Sequence, residues 1–277
     1  MKGVTTCRLG VLAALASIYL ASPFPVLAAV IPQESSSASF LPALPPVPDA
    51  ASTSDAPSEA DIAANLQLIQ SLSRGLWTTA CDQAAGILGR QRPDIDALGV
   101  FAICAALRSD EKSTSASLDA LKAREAIPPY YATLVEGILQ LQKKAPEEAQ
   151  AIFSRIREQR ASDPLALYFI GEAHHAQKRS AEAIAAFERT LETWPEYAPA
   201  IAAIARLKAG GASTPEALQS AISLTERATR IDPANLGYWR QLADLCERAG
   251  DTGRANAIRL QWLRPRIVPQ PGPGQKP

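Results

Sequence analysis

The chain has 277 residues, 47% hydrophobic and 20% charged, and its 28 basic and 28 acidic side chains cancel to a formal net charge of zero. That is enough chain for one or two globular domains, and it carries no basic field for nucleic acid. Two histidines and 15 glycines, beside abundant Ala, Leu, Gln, Arg and Glu, point to an all-helical protein with a poor inventory for acid–base or metal chemistry.

Lys2 and Arg8 flank the start, Leu9 to Leu20 is apolar, and Val26-Leu27-Ala28 supplies a cleavage site, so residues 1–28 read as a secretory signal peptide. The apolar segment is short for a span of about 20 residues, and Pro23 and Pro25 break it. Cleavage after Ala28 removes Cys7 and leaves a net charge of −2. Nothing else is apolar enough to cross a bilayer, so the expected product is a soluble exported protein of a bacterial periplasm. Residues 29–58 are Ser, Pro, Ala and Asp with too little apolar surface to offset ordering entropy, and read as a disordered linker. Within it, Leu41 to Pro48 favours polyproline II, more plausibly a tether than a docking peptide.

Residues 59–129 read as degenerate helical repeats. Ile62, Leu66, Ile69 and Leu72 give one amphipathic helix, and Ala80, Ala84, Ile87 and Leu88 a second that ends near Pro93. Leu98, Phe101 and Ala105, then Leu118, Leu121 and Ala126, give two more, ended by Pro128-Pro129.

From residue 130 to 264 the chain repeats. Ala149 and Phe153 return 34 residues later as Ala183 and Phe187, Gly137 as Gly171, and Ala221 as Ala255. A fixed period of this size marks stacked supersecondary units. In the unit Asp163 to Pro195, Leu167, Ile170, Gly171 and His174 share one face of a first helix. Gln177 to Ser180 forms a turn, and Ala183, Phe187 and Leu191 share a face of the second helix, which Pro195 stops. Gly171 and Ala183 are small where two helices must cross. The last unit carries Trp239, Leu242, Ala243, Gly250, Asp251 and Ala255 in the same places. The unit before it runs from Ile201, Ile204 and Ala205 to Ala221, Ala228 and Pro233, with about four extra turn residues at Gly210 to Ser213. In residues 130–161, Leu134, Ile138 and Leu141 mark a buried face one step out of this register, which makes the match of Gly137 to Gly171 look partly accidental. Pro265 to Pro277 reads as a disordered tail.

On these residues the unit resembles a tetratricopeptide repeat, with His174 where that family carries an aromatic. The resemblance is close over 130–264 and loose over 59–129. It implies an all-α fold: a right-handed α-solenoid of about six helix-turn-helix pairs with a concave inner face. It also implies a non-catalytic protein that needs no cofactor and docks an extended segment or helix of a protein partner in that groove. Carried over residue by residue, the groove stripe falls on Tyr168, Glu172 and His175, then Ala202 and Arg206, then Arg240, Asp244 and Glu247. The Lys, Asn and Arg set that clamps a chaperone's terminal carboxylate in some of these repeats is absent here.

Cys81 and Cys104 are nearly equidistant from Pro93, the centre of a helical hairpin, and so stand at one height where a disulfide can form in an oxidising compartment. Two small core residues are the alternative. Cys246 is left unpaired and is expected to be buried. Neighbouring His174 and His175 point about 100° apart on a helix and cannot chelate one metal. His174 reads as a core residue and His175 as a groove or surface residue. No nucleophile triad or phosphate loop is present. The reading is a protein–protein interaction scaffold of the bacterial cell envelope. The alternative is a module that binds cell-wall glycan or peptide, with Tyr131, Trp77 or Trp194 stacking on sugar where exposed.

Overall fold

The computed structural model describes residues 58–89, 94–124, 129–211 and 214–263. The segments read as signal peptide and tail lie outside the described residues, as does the linker apart from Ser58. So do Pro93, Ala126, Pro128 and, of the Gly210 to Ser213 turn, Ala212 and Ser213. The fold is all-α, with no strand among the described residues. Six helix pairs follow one another: α1 (Glu59–Arg74) with α2 (Trp77–Leu88), α3 (Ile95–Leu107) with α4 (Glu111–Arg124), and α5 (Tyr131–Gln142) with α6 (Pro146–Gln159). Then come α7 (Pro164–Ala176) with α8 (Ser180–Thr193), α9 (Ala198–Gly210) with α10 (Pro215–Ile231), and α11 (Leu236–Arg248) with α12 (Thr252–Ile258). A π-helical turn, Arg259–Leu263, ends the described chain.

The starts of these helices are encoded locally. Ser58 and Asp61 form a reciprocal capping box at α1. Asp94, Asp163, Thr214 and Asp251 each accept a backbone N–H three residues on, satisfying a donor that the first turn leaves free. Proline stands in the first turn of α6, α7 and α10, where no N–H is needed.

Five of the six turns inside the pairs share one device. Gly75, Ser109, Lys144, Lys178 and Gly250 all hold left-handed backbone, with φ between 57° and 85°. The next residue's N–H reaches back five residues to a helix carbonyl: Leu76 to Ser71, Asp110 to Ala105, Ala145 to Gln140, Arg179 to His174 and Asp251 to Cys246, each 2.9–3.0 Å. The first four of these positions are 34, 35 and 34 residues apart. The period therefore extends through the first two pairs, which side-chain pattern alone renders faintly.

Small residues let the helices of a pair cross. A Cβ on Gly171 would lie 2.5 Å from the Phe187 ring, and one on Gly137 2.3 Å from the Phe153 ring. Gly137 and Gly171 thus do the same thing, and the register difference around Gly137 does not disturb it. Both rings are fully buried, each contributing about 1.5–3 kcal/mol.

Two expectations are corrected. On α1 the buried residues are Leu68, Ser71 and Leu72. Ile62, Leu66 and Ile69 are instead 50%, 55% and 52% exposed, because the rest of the array packs on the neighbouring face of the helix. The array is also not open along its length. The α1–α2 turn returns to the α8–α9 connection, where Gly75 stands so close to Pro199 that a Cβ would fall 2.2 Å from its ring. There the buried Trp77 donates its indole N–H to the Tyr197 hydroxyl at 3.2 Å, and Arg74 pairs with Glu196 at 3.4 Å. No helix among the described residues is long and apolar enough to cross a membrane.

Candidate functional site

The face of α7 and α9 assigned to a groove is the place where the first helix pair comes back. Tyr168 and Glu172 are buried, at 1% and 2% exposure, so neither side chain lies on an open stripe. Tyr168 packs edge-on to Phe169 and Tyr197, with ring centroids 5.3 and 5.1 Å apart, and Tyr197 is itself tied to Trp77. The sequence could not show this cover: Trp77 and Tyr197 are 120 residues apart and neither is marked by its neighbours.

Glu172 sits in this aromatic surround with Arg206 3.9 Å away, its guanidinium about a quarter exposed. Burial raises the Glu172 carboxyl to about 7, while Arg206 and Tyr168 pull in the opposite direction. Neither carboxylate oxygen, nor the Tyr238 hydroxyl, has a hydrogen-bond partner of normal geometry among the described residues. Burial likewise holds the Tyr168, Tyr197 and Tyr238 phenols above their ordinary range, so all three stay neutral at physiological pH.

His175 stands beside that cluster, and Arg240 and Asp244 stand apart from it. His175 is half-buried, and desolvation with the Arg206 charge holds it below its ordinary range. His174 is also only half-buried, not a full core residue, and burial and Arg179 lower it too. Arg240 and Asp244 are exposed on α11, and Asp244 pairs with Arg259 at 3.2 Å rather than with Arg240. The structure thus brings Tyr168, Glu172, His175 and Arg206 together and leaves Arg240 and Asp244 on a solvated face.

Cys81 of α2 and Cys104 of α3 form a disulfide with a Cα–Cα distance of 5.9 Å. It fixes the covering pair to the body of the array. Cys246 is a buried free thiol. Of the aromatics considered for stacking on sugar, Trp77 is fully buried. Tyr131 is half-buried and donates its hydroxyl to Asp96 at 2.8 Å. Trp194 is half-buried on the rim of a crevice between the first pair and the α8–α9 connection. Among the described residues no group of three or more His, Cys, Asp or Glu side chains is placed to hold a metal ion.

Packing and site together define an array of helix pairs in which Tyr168 and Glu172 of the inner face are buried. No protein-family model and no curated protein matches the chain. Among solved structures it is similar to MamA from Desulfovibrio magneticus RS-1, residues 41 to the end, at 16% identity and a TM-score of 0.39, over 75% of this chain and 96% of that one. A MamA RS-1 ArsTM double mutant gives the same identity and TM-score, over 75% and 95%. Likeness this distant carries no functional weight; the fold stands on the repeated turns and crossings described above.

Proposed function

We propose that this chain is a non-catalytic protein–protein interaction scaffold of the tetratricopeptide type, working in the bacterial cell envelope. The observation that carries the reading is the outer face of α1. Ile62, Leu66 and Ile69 are spaced i, i+4 and i+7 and stand half-exposed, as a helix does when it awaits another helix. Each unit of such an array buries its apolar face on the next, and this end face has no covering unit among the described residues. Glu59 and Asp61 in the first turn favour a partner helix with basic residues beside its apolar stripe. The envelope location rests on the export signal read in residues 1–28. Partial burial of His175 and Arg206 beside the covered cluster makes the inner stripe a secondary contact at most.

The test is in-cell photocrosslinking from position 66, followed by mass spectrometry, in the natural chain and in a Leu66→Glu, Ile69→Lys variant. Both positions are solvated, so the variant should keep its melting temperature. One dominant envelope protein crosslinked to the natural chain and lost in the variant supports the scaffold reading. Crosslinks that scatter over many proteins, or a dominant partner that the variant retains, contradict it.

A further inference from the structure

The return of the first helix pair creates a crevice of about 570 Å³ between residues 67–83 and residues 193–196. That volume lies within the roughly 300–1,000 Å³ range of small-molecule sites. Its walls are unusual in chemistry. Gln67, Gln70 and Gln83 contribute three carboxamides, and Ser71, Ser73 and Thr193 add hydroxyls. Every one of these groups both donates and accepts hydrogen bonds. The charged lining residues, Arg74 and Glu196, neutralise each other across 3.4 Å, so no field draws in a phosphate or a metal ion. The apolar residues among the lining are Trp194, Leu76 and Pro195, with the indole as the one aromatic ring. The carbonyl oxygen Oε1 of Gln83 is buried in this wall with no donor among the described residues.

A ligand that suits these walls is uncharged, carries many groups that donate and accept at once, and has one apolar face for a single indole. A sugar ring has all three properties, with hydroxyls around its edge and C–H groups on its face. A proline-rich peptide fits less well, because polyproline recognition uses several aromatic rings and this crevice offers one. We infer that the crevice between the first helix pair and the α8–α9 connection binds a neutral oligosaccharide through the Gln67, Gln70 and Gln83 carboxamides, with a ring stacked on Trp194. The two walls come from parts of the chain more than 100 residues apart, so the site exists only where the array closes on itself. This inference is independent of the α1 docking face.

The experiment is calorimetric titration of the mature chain with two probes, chitotetraose and cellotetraose. Amide-resolved NMR then locates the bound sugar. The expected result is saturable binding of at least one probe. Gln67→Ala and Gln70→Ala should each weaken it roughly 3- to 10-fold, the factor one hydrogen bond supplies. Both glutamines are exposed, so these variants fold even where Trp194→Ala, which loosens the contact with Tyr197, does not. No binding of either sugar overturns the inference. So does binding that ignores both glutamine variants, or binding in the crevice only of a peptide with the sequence of residues 41–48.

Discussion

Substituting Gly171 by Ala sets two effects of opposite sign against each other. In a helix interior Ala is favoured over Gly by about 1 kcal/mol. Here the new Cβ would lie 2.5 Å from Phe187 Cε1 and 2.7 Å from Cδ1. Carbon atoms in good contact stand about 3.5–4.0 Å apart, so the ring must retreat by about 1 Å. Phe187 is fully buried, with the Tyr168 ring centred 5.5 Å away, so a retreat must displace other core side chains. Overpacking of this kind costs roughly 1–3 kcal/mol. Gly86 on the exposed side of α2 is the control, because a Cβ there meets nothing within 4 Å. Gly86→Ala should therefore show the full propensity gain, and Gly171→Ala that gain minus the clash. The two variants should differ by about 1–3 kcal/mol, or roughly 2–12 °C in melting temperature for an array of this size. Far-UV circular dichroism during heating and urea unfolding measures both. A Gly171→Ala, Phe187→Leu double variant should recover at least about 0.5 kcal/mol relative to additivity. Equal stabilisation by the two alanines would refute the crossing of α7 and α8 at Gly171.

Three further outcomes follow from other parts of the molecule. Lys178 holds left-handed backbone at φ 62°, so Lys178→Gly should raise stability by up to about 1 kcal/mol in urea, whereas an alanine at the same place should not. The Glu172 carboxyl titrates near 7 when folded and near the ordinary 4.5 when unfolded, so between those values the folded chain holds a proton that the unfolded chain has lost. Stability contributed by this group is thus full below pH 4.5 and declines, by on the order of 3 kcal/mol, as pH climbs to 7. Glu172→Gln should remove that part of the slope in a pH series of urea midpoints. Opening the Cys81–Cys104 bond, which joins residues 23 apart, should cost about 3–4 kcal/mol of chain entropy. Thermal unfolding of a Cys81→Ala, Cys104→Ala variant checks the figure.

The parts of this molecule that were legible in its sequence are those whose partners lie one unit away. The crossing of α7 and α8 is legible because Gly171 and Ala183 belong to a single hairpin, and Cys81 with Cys104 because both flank one turn, whereas the ring that meets Gly171, Phe187, comes from the structure. Lys178 falls in a turn that the sequence marks, but the left-handed backbone of Ser109, Lys144 and Lys178 is hidden for a local reason. At these three turns the left-handed position that glycine usually marks is held by other residues, so Gly75 alone of the first four carries that punctuation. The α1 stripe misled because periodicity identifies an apolar face and not what covers it. Ile62, Leu66 and Ile69 look like core, while the less conspicuous Leu68 and Ser71 are the buried residues. Tyr168 and Glu172 read from spacing as an accessible stripe, yet both are buried. Tyr168 packs on Tyr197, which meets Trp77 from a point 120 residues earlier, where no spacing rule reaches.

The closure of the array by its first helix pair decides which surfaces are available, and zero-length crosslinking tests it directly. In an Arg74→Lys variant, carbodiimide should join position 74 to Glu196, which Arg74 meets at 3.4 Å. Lys122 and Glu136, 3.2 Å apart in consecutive pairs, serve as the internal standard because they are adjacent whether or not the array closes. Mass spectrometry should find both linked peptides in the monomer. Recovery of the 122–136 link without the 74–196 link would mean that the first pair stands away from the α8–α9 connection and that Trp77 does not reach Tyr197.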